Sequence, residues 1–304
     1  MIVTWGTPKT FTSFSTLNLA WNECLDSCLT ALDCALVSNQ TATKCVMFTL
    51  SQITSVKQLN SSFNLLVAFK VRLNSTMCPS PDSAPFMNGN SATGAVFDRS
   101  QRMNQTYQPY TINYSKGLWT FSLNTKLYCG LGGYIFDRPL GPWCIWAFNS
   151  VNDNRKHGAS LCSTNAFSKG GVLSGIQTLE EYTYIKDKYV SDVNSLKMFS
   201  KYTTIGFWLD GIRRTKCQAP YTRSAGCNGT NEFSFSDPTF SLPGYYPWLS
   251  GQPSGILTNP TTKNCMELRM TSKTQGVADI SCDTGCSGSV CQWGILCGKM
   301  PAAL

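Results

Sequence analysis

Apolar and polar residues alternate over residues 65–73, with Leu65, Val67, Phe69, Val71 and Leu73 on one side and Lys70 and Arg72 among those opposite. A period of two places a half-buried strand there. Residues 21–32 read instead as a short helix, in which Cys24 and Cys28, four positions apart, share one face. Strands are expected at 35–38 and 45–50, with the polar loop 39–44 between them. A segment this short buries little core on its own, so a helix pinned by cross-links to a small antiparallel sheet is the economical arrangement.

A helical period returns over 154–167 and stops at Gly170-Gly171. A strand is expected at 172–176. Thr178-x-x-Glu181 then forms a capping box and opens a helix to about Tyr189, with Leu179, Tyr182, Ile185 and Tyr189 facing inward. Beyond Phe207 the helical period is gone, and short strands alternate with long loops rich in Gly, Pro and Ser. Residues 77–127, which include Cys78-Pro79-Ser80-Pro81, are rich in turn formers and read as a linker. The chain thus divides into a small module at 1–76, a linker at 77–127 and a larger domain at 128–304, an α+β protein.

Composition narrows the class. The chain has 304 residues and a net charge of +8, with only 14% charged and 12% aromatic residues. That balance fits packed domains better than disorder. No apolar run approaches the ~18 residues that span a bilayer, so no membrane insertion is expected. The basic residues are scattered, and the Arg213-Arg214-Thr215-Lys216 group reads as a solvated loop; nothing points to nucleic acid. Fifteen cysteines stand beside a single histidine, His157. Six Asn-x-Ser/Thr acceptors occur, at Asn39, Asn60, Asn74, Asn104, Asn113 and Asn228. Together they indicate an oxidising, glycosylating route and an extracellular location. The start at Met1 lacks the basic and apolar regions of a signal peptide. Either a leader lies upstream or the chain begins as the mature protein.

The larger domain resembles a C-type lectin-like domain. The residues that carry the likeness are Cys129 and Cys144 around an N-terminal hairpin, Cys162 on the first helix and Glu181 with Ile185 on the second. To these add Gly206-Phe207-Trp208-Leu209-Asp210-Gly211 as the core strand, Trp248 with Gly251-Gln252-Pro253 in the long loop, Asn264-Cys265, Asp279-x-x-Cys282 and Cys297. The first module resembles the PAN-like (CW) module of secreted nematode proteins, through Trp21, Cys24, Cys28, Cys34 and Cys45. The resemblance implies two helices, short antiparallel sheets and a long loop region. It implies bridges Cys129–Cys144, Cys162–Cys297 and Cys265–Cys282, with Cys217–Cys227 and Cys286–Cys291 as local loops. For the first module it gives Cys24–Cys45 and Cys28–Cys34. Cys78 is left over.

Many lectins of this kind hold sugar through calcium, which takes about six to eight oxygens. This chain departs from the ligand motif at most positions. Gln252-Pro253 is followed by Ser254, Lys263-Asn264 precedes Cys265 without a glutamate, and Val277-Ala278-Asp279 offers one carboxylate. Gln252, Asn264 and Asp279 are too few and too weakly charged, so no cofactor, calcium included, is expected. Asp210, Glu232, Asp237 and Glu267 have no motif spacing and read as turn and surface carboxylates. Trp208 and Trp248 read as core. Tyr245 and Tyr246 follow Pro243-Gly244 on a loop, and one of them at least is expected to be exposed.

No enzyme constellation stands out. His157 has no Gly-x-Ser-x-Gly partner, zinc lacks its usual imidazoles, and Glu180 and Glu181 face different ways on a helix. The function implied by the resemblance is recognition without a reaction: of a glycan or microbial surface, in the manner of innate immunity, through Gln252, Ser254, Asn264, Asp279, Tyr245 and Tyr246. The alternative is a calcium-independent module for an extracellular protein.

Overall fold

In the computed structural model, which describes residues 1–72, 91–99, 105–149, 154–218, 226–255, 257–258 and 261–304, the chain forms two units. One is Met1–Tyr128 with Ala302–Leu304, the other Cys129–Pro301. Helices and mainly antiparallel strands make both α+β.

The first unit begins with a strand absent from the sequence expectations, β1 (Ile2–Phe11), followed by α1 (Trp21–Thr30), β2 (Cys34–Thr41), β3 (Lys44–Thr49), β4 (Ile53–Gln58) and β5 (Leu66–Phe69). The Glu23 carboxylate accepts from the Ala20 backbone N–H and caps the start of α1. Cys24 and Cys28, fully buried on one helical face, are bonded to Cys45 and Cys34. β5 is shorter than its alternation implies, and it is enclosed on both faces. Val67 and Phe69 pack with Leu36, Val56 and Trp119, while Ala68 packs with the α1 cysteines. Lys70 is accordingly turned to account inside: its Nζ donates to the carbonyls of Cys28 (3.2 Å) and Ala31 (2.6 Å), at the end of α1. Burial lowers its pKa, against the pull of Asp33.

The stretch expected as a linker holds three strands where it is described: β6 (Ala92–Asp98), β7 (Thr106–Ser115) and β8 (Leu118–Leu123). β8 pairs with β4 (Ser55 opposite Thr120), which joins these strands to the module's sheet. The cause is a buried alternation among polar residues: Tyr110 and Ile112 on β7, Trp119 and Phe121 on β8. The hairpin closes through Lys116-Gly117, both at positive φ (49° and 75°), as a two-residue turn between twisted strands requires. Cys78, Asn74 and Asn104 lie outside the described residues.

The second unit consists of β9 (Tyr134–Arg138), β10 (Gly141–Phe148), α2 (Arg155–Thr164), α3 (Leu179–Ser195), β11 (Thr204–Arg213), β12 (Cys265–Met270), β13 (Gln275–Ile280) and β14 (Val290–Lys299). The strands lie in the order β9-β10-β14-β11-β12-β13. All neighbours are antiparallel except β11 and β14. Only Val172–Leu173 of the expected strand at 172–176 is paired, against β14. α2 is capped by Asn154, whose side chain accepts from the His157 amide, and is bonded to β14 through Cys162–Cys297. α3 starts at the Thr178 cap as expected and runs a turn and a half past Tyr189, because Val193 continues its buried stripe. Leu179, expected inward, is 56% exposed. Tyr189 stacks on Phe207 at 3.6 Å and donates to the Ile295 carbonyl at 2.6 Å. Cys129–Cys144, Cys217–Cys227, Cys265–Cys282 and Cys286–Cys291 complete seven bridges among the described residues.

Candidate functional site

Between β11 and β12 the chain leaves the sheet for a long loop. Three arginines hold that loop to the framework. Arg138, at the end of β9, is fully enclosed. Its Nε and Nη2 meet both oxygens of Glu181 (2.7 and 2.9 Å), and its Nη1 meets Asp237 Oδ2 (2.7 Å) and Thr239 Oγ1 (3.0 Å). Burial alone would weaken its hold on its proton; Glu181 and Asp237 outweigh that and raise its pKa. Arg155, in the first turn of α2, pairs with Asp210 at 3.1 Å. Asp210 in turn accepts from the amides of Ser236 (2.5 Å), Asp237 (2.9 Å) and Gly211 (2.9 Å).

Arg213, the last residue of β11, is the third. Its guanidinium is buried and lies 4.7 Å over the Phe233 ring. It pairs with Glu232 and with Asp279 Oδ2 (2.6 Å), and its Nε donates to the Lys263 carbonyl (3.1 Å). Asp279 is fully engaged from other directions as well. The Ser254 hydroxyl donates to Oδ1 (2.9 Å), the Gly255 amide donates to Oδ2 (2.6 Å), and the Asp279 amide donates to Gln252 Oε1 (3.3 Å). The structure thus brings Gln252, Ser254 and Asp279 together around one carboxylate. Asn264 joins through its backbone, its carbonyl accepting from the Arg213 amide (2.8 Å); its Oδ1 is shielded from solvent and has no hydrogen-bond partner among the described residues.

Four carboxylates expected at turns or on the surface are buried: Asp210, Glu232, Asp237 and Glu267. A carboxylate is tolerated inside only when paired or well hydrogen-bonded, and each has its cation: Arg155, Arg213, Arg138 and Arg269 in turn. Burial still pushes the Glu267 carboxyl above the ordinary range, against Arg269 and the donor Gln292. Glu181, read as a helix cap, accepts from the Gln177 amide (2.7 Å), but its main partner is Arg138. Apart from Glu267 and Arg269, two positions apart, the ion pairs join residues far apart in the chain, 66 residues for Arg213 and Asp279, and periodicity does not reveal them. The one local signal is that Asp210 and Arg213 interrupt the mainly apolar run of β11.

The aromatic candidates separate. Trp208 is fully buried. Trp248 is half-buried, stacked between Phe233 (5.9 Å) and Tyr246 (6.1 Å). The Tyr246 hydroxyl accepts from the Ile176 amide (3.0 Å), a packing role. Tyr245 is 37% exposed and lies against Tyr182 at 5.7 Å. None of the tyrosines belongs to the Asp279 cluster. A larger cleft, of about 670 Å³, belongs to the first unit, between Leu32, Leu50, Phe97 and Leu123.

A family model described as C-type lectin domain-containing protein 141/158 matches residues 138–300, more than half of the chain. The chain belongs to that family. A PAN-like domain model matches residues 1–71. No curated protein matches the chain. The C-type lectin family model spans all three arginine clusters, so they are features of the lectin-like domain itself. This is a domain of recognition, and the seven disulfides of the chain's described residues give it an extracellular character. Among the described residues no helix is long and apolar enough to cross a membrane.

Proposed function

We propose that the protein is a secreted recognition protein that binds carbohydrate, including that of microbial surfaces, through its lectin-like domain and without calcium. The observation that carries this is the position of the Arg213 guanidinium, between Glu232 and Asp279, beside the loop that carries Gln252 and Ser254. Calcium does not fit here. It would need about six to eight oxygens, and Asp279 already accepts from Ser254, Gly255 and Arg213. A guanidinium within 2.6 Å of that carboxylate would also repel a divalent ion. The arginine supplies positive charge in its place and holds the loop closed. Secretion is supported by the seven bridges and by sequons at exposed Asn60, Asn113 and Asn228. Asn39 lies on β2 and not in the expected loop, and its side-chain amide is engaged with Asn64 and Leu66, which makes it a poorer acceptor than a loop position would.

A glycan array probed with the full chain, with and without chelator, tests the reading. Binding that survives chelator supports it; binding abolished by chelator, or none to any glycan, overturns it. A second reading, an extracellular protein as partner, is favoured by exposed Leu179 at the start of α3 and exposed Leu242 and Tyr245 on the loop that meets that end of the helix through Ser241–Gln177 and Tyr245–Tyr182. Loss of binding on Tyr245→Ala in a pull-down of protein ligands, with the array silent, would select it.

A further inference from the structure

The lectin-like unit sorts its charges. Six carboxylates are buried: Glu181, Asp210, Glu232, Asp237, Glu267 and Asp279. Only two of its basic residues, Arg138 and Arg213, are buried with them. The acids left outside the interior, among the described residues, are Asp137, Glu180, Asp187, Asp192 and Asp283. Of these, Asp187 and Asp192 are already paired with Lys186 and Lys188. With Arg155 and Arg269 also spent on buried acids, the surface of the unit still carries more basic than acidic side chains among the described residues.

That excess has a focus at the rim of the Arg213 cluster. Arg214 follows Arg213 directly, and its Nη2 donates to the Gly226 carbonyl (2.9 Å), a neutral acceptor. Lys216 is exposed, and its Nζ lies 3.9 Å from where a side chain on Gly226 would begin. Lys263 is held alongside, since its carbonyl accepts from Arg213 Nε. None of Arg214, Lys216 and Lys263 is in an ion pair among the described residues. The carboxylates of the Arg213 cluster itself, Glu232 and Asp279, are buried and occupied by Arg213. Three cations without an ion pair on one edge, with the acids of the Arg213 cluster turned inward, make a surface complementary to repeated negative charge.

We infer that the ligand read at this edge is a polyanionic glycan, bearing sulfate or uronic carboxylate groups, and that Arg214, Lys216 and Lys263 contact those groups. This rests on the carbohydrate reading and narrows it to one class of sugar. Arginine suits such a ligand because its planar fork meets sulfate or carboxylate with two donors.

The test measures binding of the full chain to heparin, dextran sulfate, neutral dextran and duplex DNA in chelator. Arg214→Gln/Lys216→Gln/Lys263→Gln is compared with a control that removes the same charge at the other end of the sheet, Lys197→Gln/Lys201→Gln/Lys273→Gln. The expected result is binding to the two sulfated polymers, steeply weakened by salt, and about tenfold weaker in the first variant than in the control. If the first variant fails to fold, the exposed single change Lys216→Glu serves, with a loss of several-fold expected. Equal losses in both variants would overturn the inference, as would equal affinity for duplex DNA, because either means generic charge attraction. Binding to neutral and sulfated glycans alike would overturn it and leave the carbohydrate reading standing. Silence on every glycan would overturn that reading too.

Discussion

At Arg213 one guanidinium meets acceptors from three separate stretches of the chain: Glu232 in the long loop, Lys263 just before β12 and Asp279 on β13. Removing one partner of a buried pair leaves the other charged in a low-dielectric interior, a loss of about 3–5 kcal/mol. Arg213→Ala leaves two carboxylates facing each other, so its unfolding free energy from urea titration should fall by that amount, with a lower midpoint, and Arg213→Lys should recover only part, lacking the planar fork. A neutral result would remove the arginine from the account. Glu267 makes a different prediction. Burial raises its folded-state pKa above the ordinary glutamate value of 4.5, so the folded state takes up a proton before the unfolded chain does. That contribution is fully present below the unfolded pKa and is lost as pH rises through the folded one. Wild type should therefore gain stability relative to Glu267→Gln as pH falls from neutral towards 4.5. A wild-type melting temperature that falls relative to that of Glu267→Gln on acidification would contradict it. Of these residues only the would-be ligands were legible beforehand. Gln252, Ser254 and Asp279 follow a motif and do converge, whereas Arg213 and Glu232 reach them only through tertiary folding.

Elements were legible where apolar periodicity was strong or a cap marked the start. α3 opens at Thr178 as its capping box requires, and the two cysteines on one face of α1 are bonded as the PAN-like resemblance implies. The strands β6 to β8 were masked by composition: Asn, Thr, Ser and Tyr dominate, and Lys116-Gly117 is an uncommon hairpin pair. Yet Trp119 on β8 is fully buried, in contact with Phe69 of the module at 5.4 Å. Trp119→Ala should therefore cost the first unit about 3–5 kcal/mol, seen as lost hydrogen-exchange protection in β4 and β5 as well as β8. Protection that changes only within residues 106–123 would mean that these strands stand apart from the module. β1 was missed because it precedes every turn or cap signal, and its pairing with both β4 and β5 is set by distant partners.

At the scale of the whole molecule, disulfides and buried ion pairs divide the work. Cys162–Cys297 closes 135 residues of the lectin-like unit and stabilises it by about 5 kcal/mol in the chain-entropy view. The bridges fix the ends of helices and strands; the arginines fix the long loop between them. In a calcium-dependent lectin the loop is completed by an ion that can be removed, and here Arg213 stands among the acceptors permanently. Thermal unfolding of the full chain with and without calcium tests this most directly. A ligand at a hundredfold excess over its Kd stabilises by about 2.7 kcal/mol, a shift of several degrees for a domain of this size. With Arg213 in place, the melting temperature at about 1 mM calcium, where weak extracellular modules respond, should equal that in chelator. A rise of several degrees with calcium, abolished by Asp279→Ala, would contradict the account and give the site back to the ion.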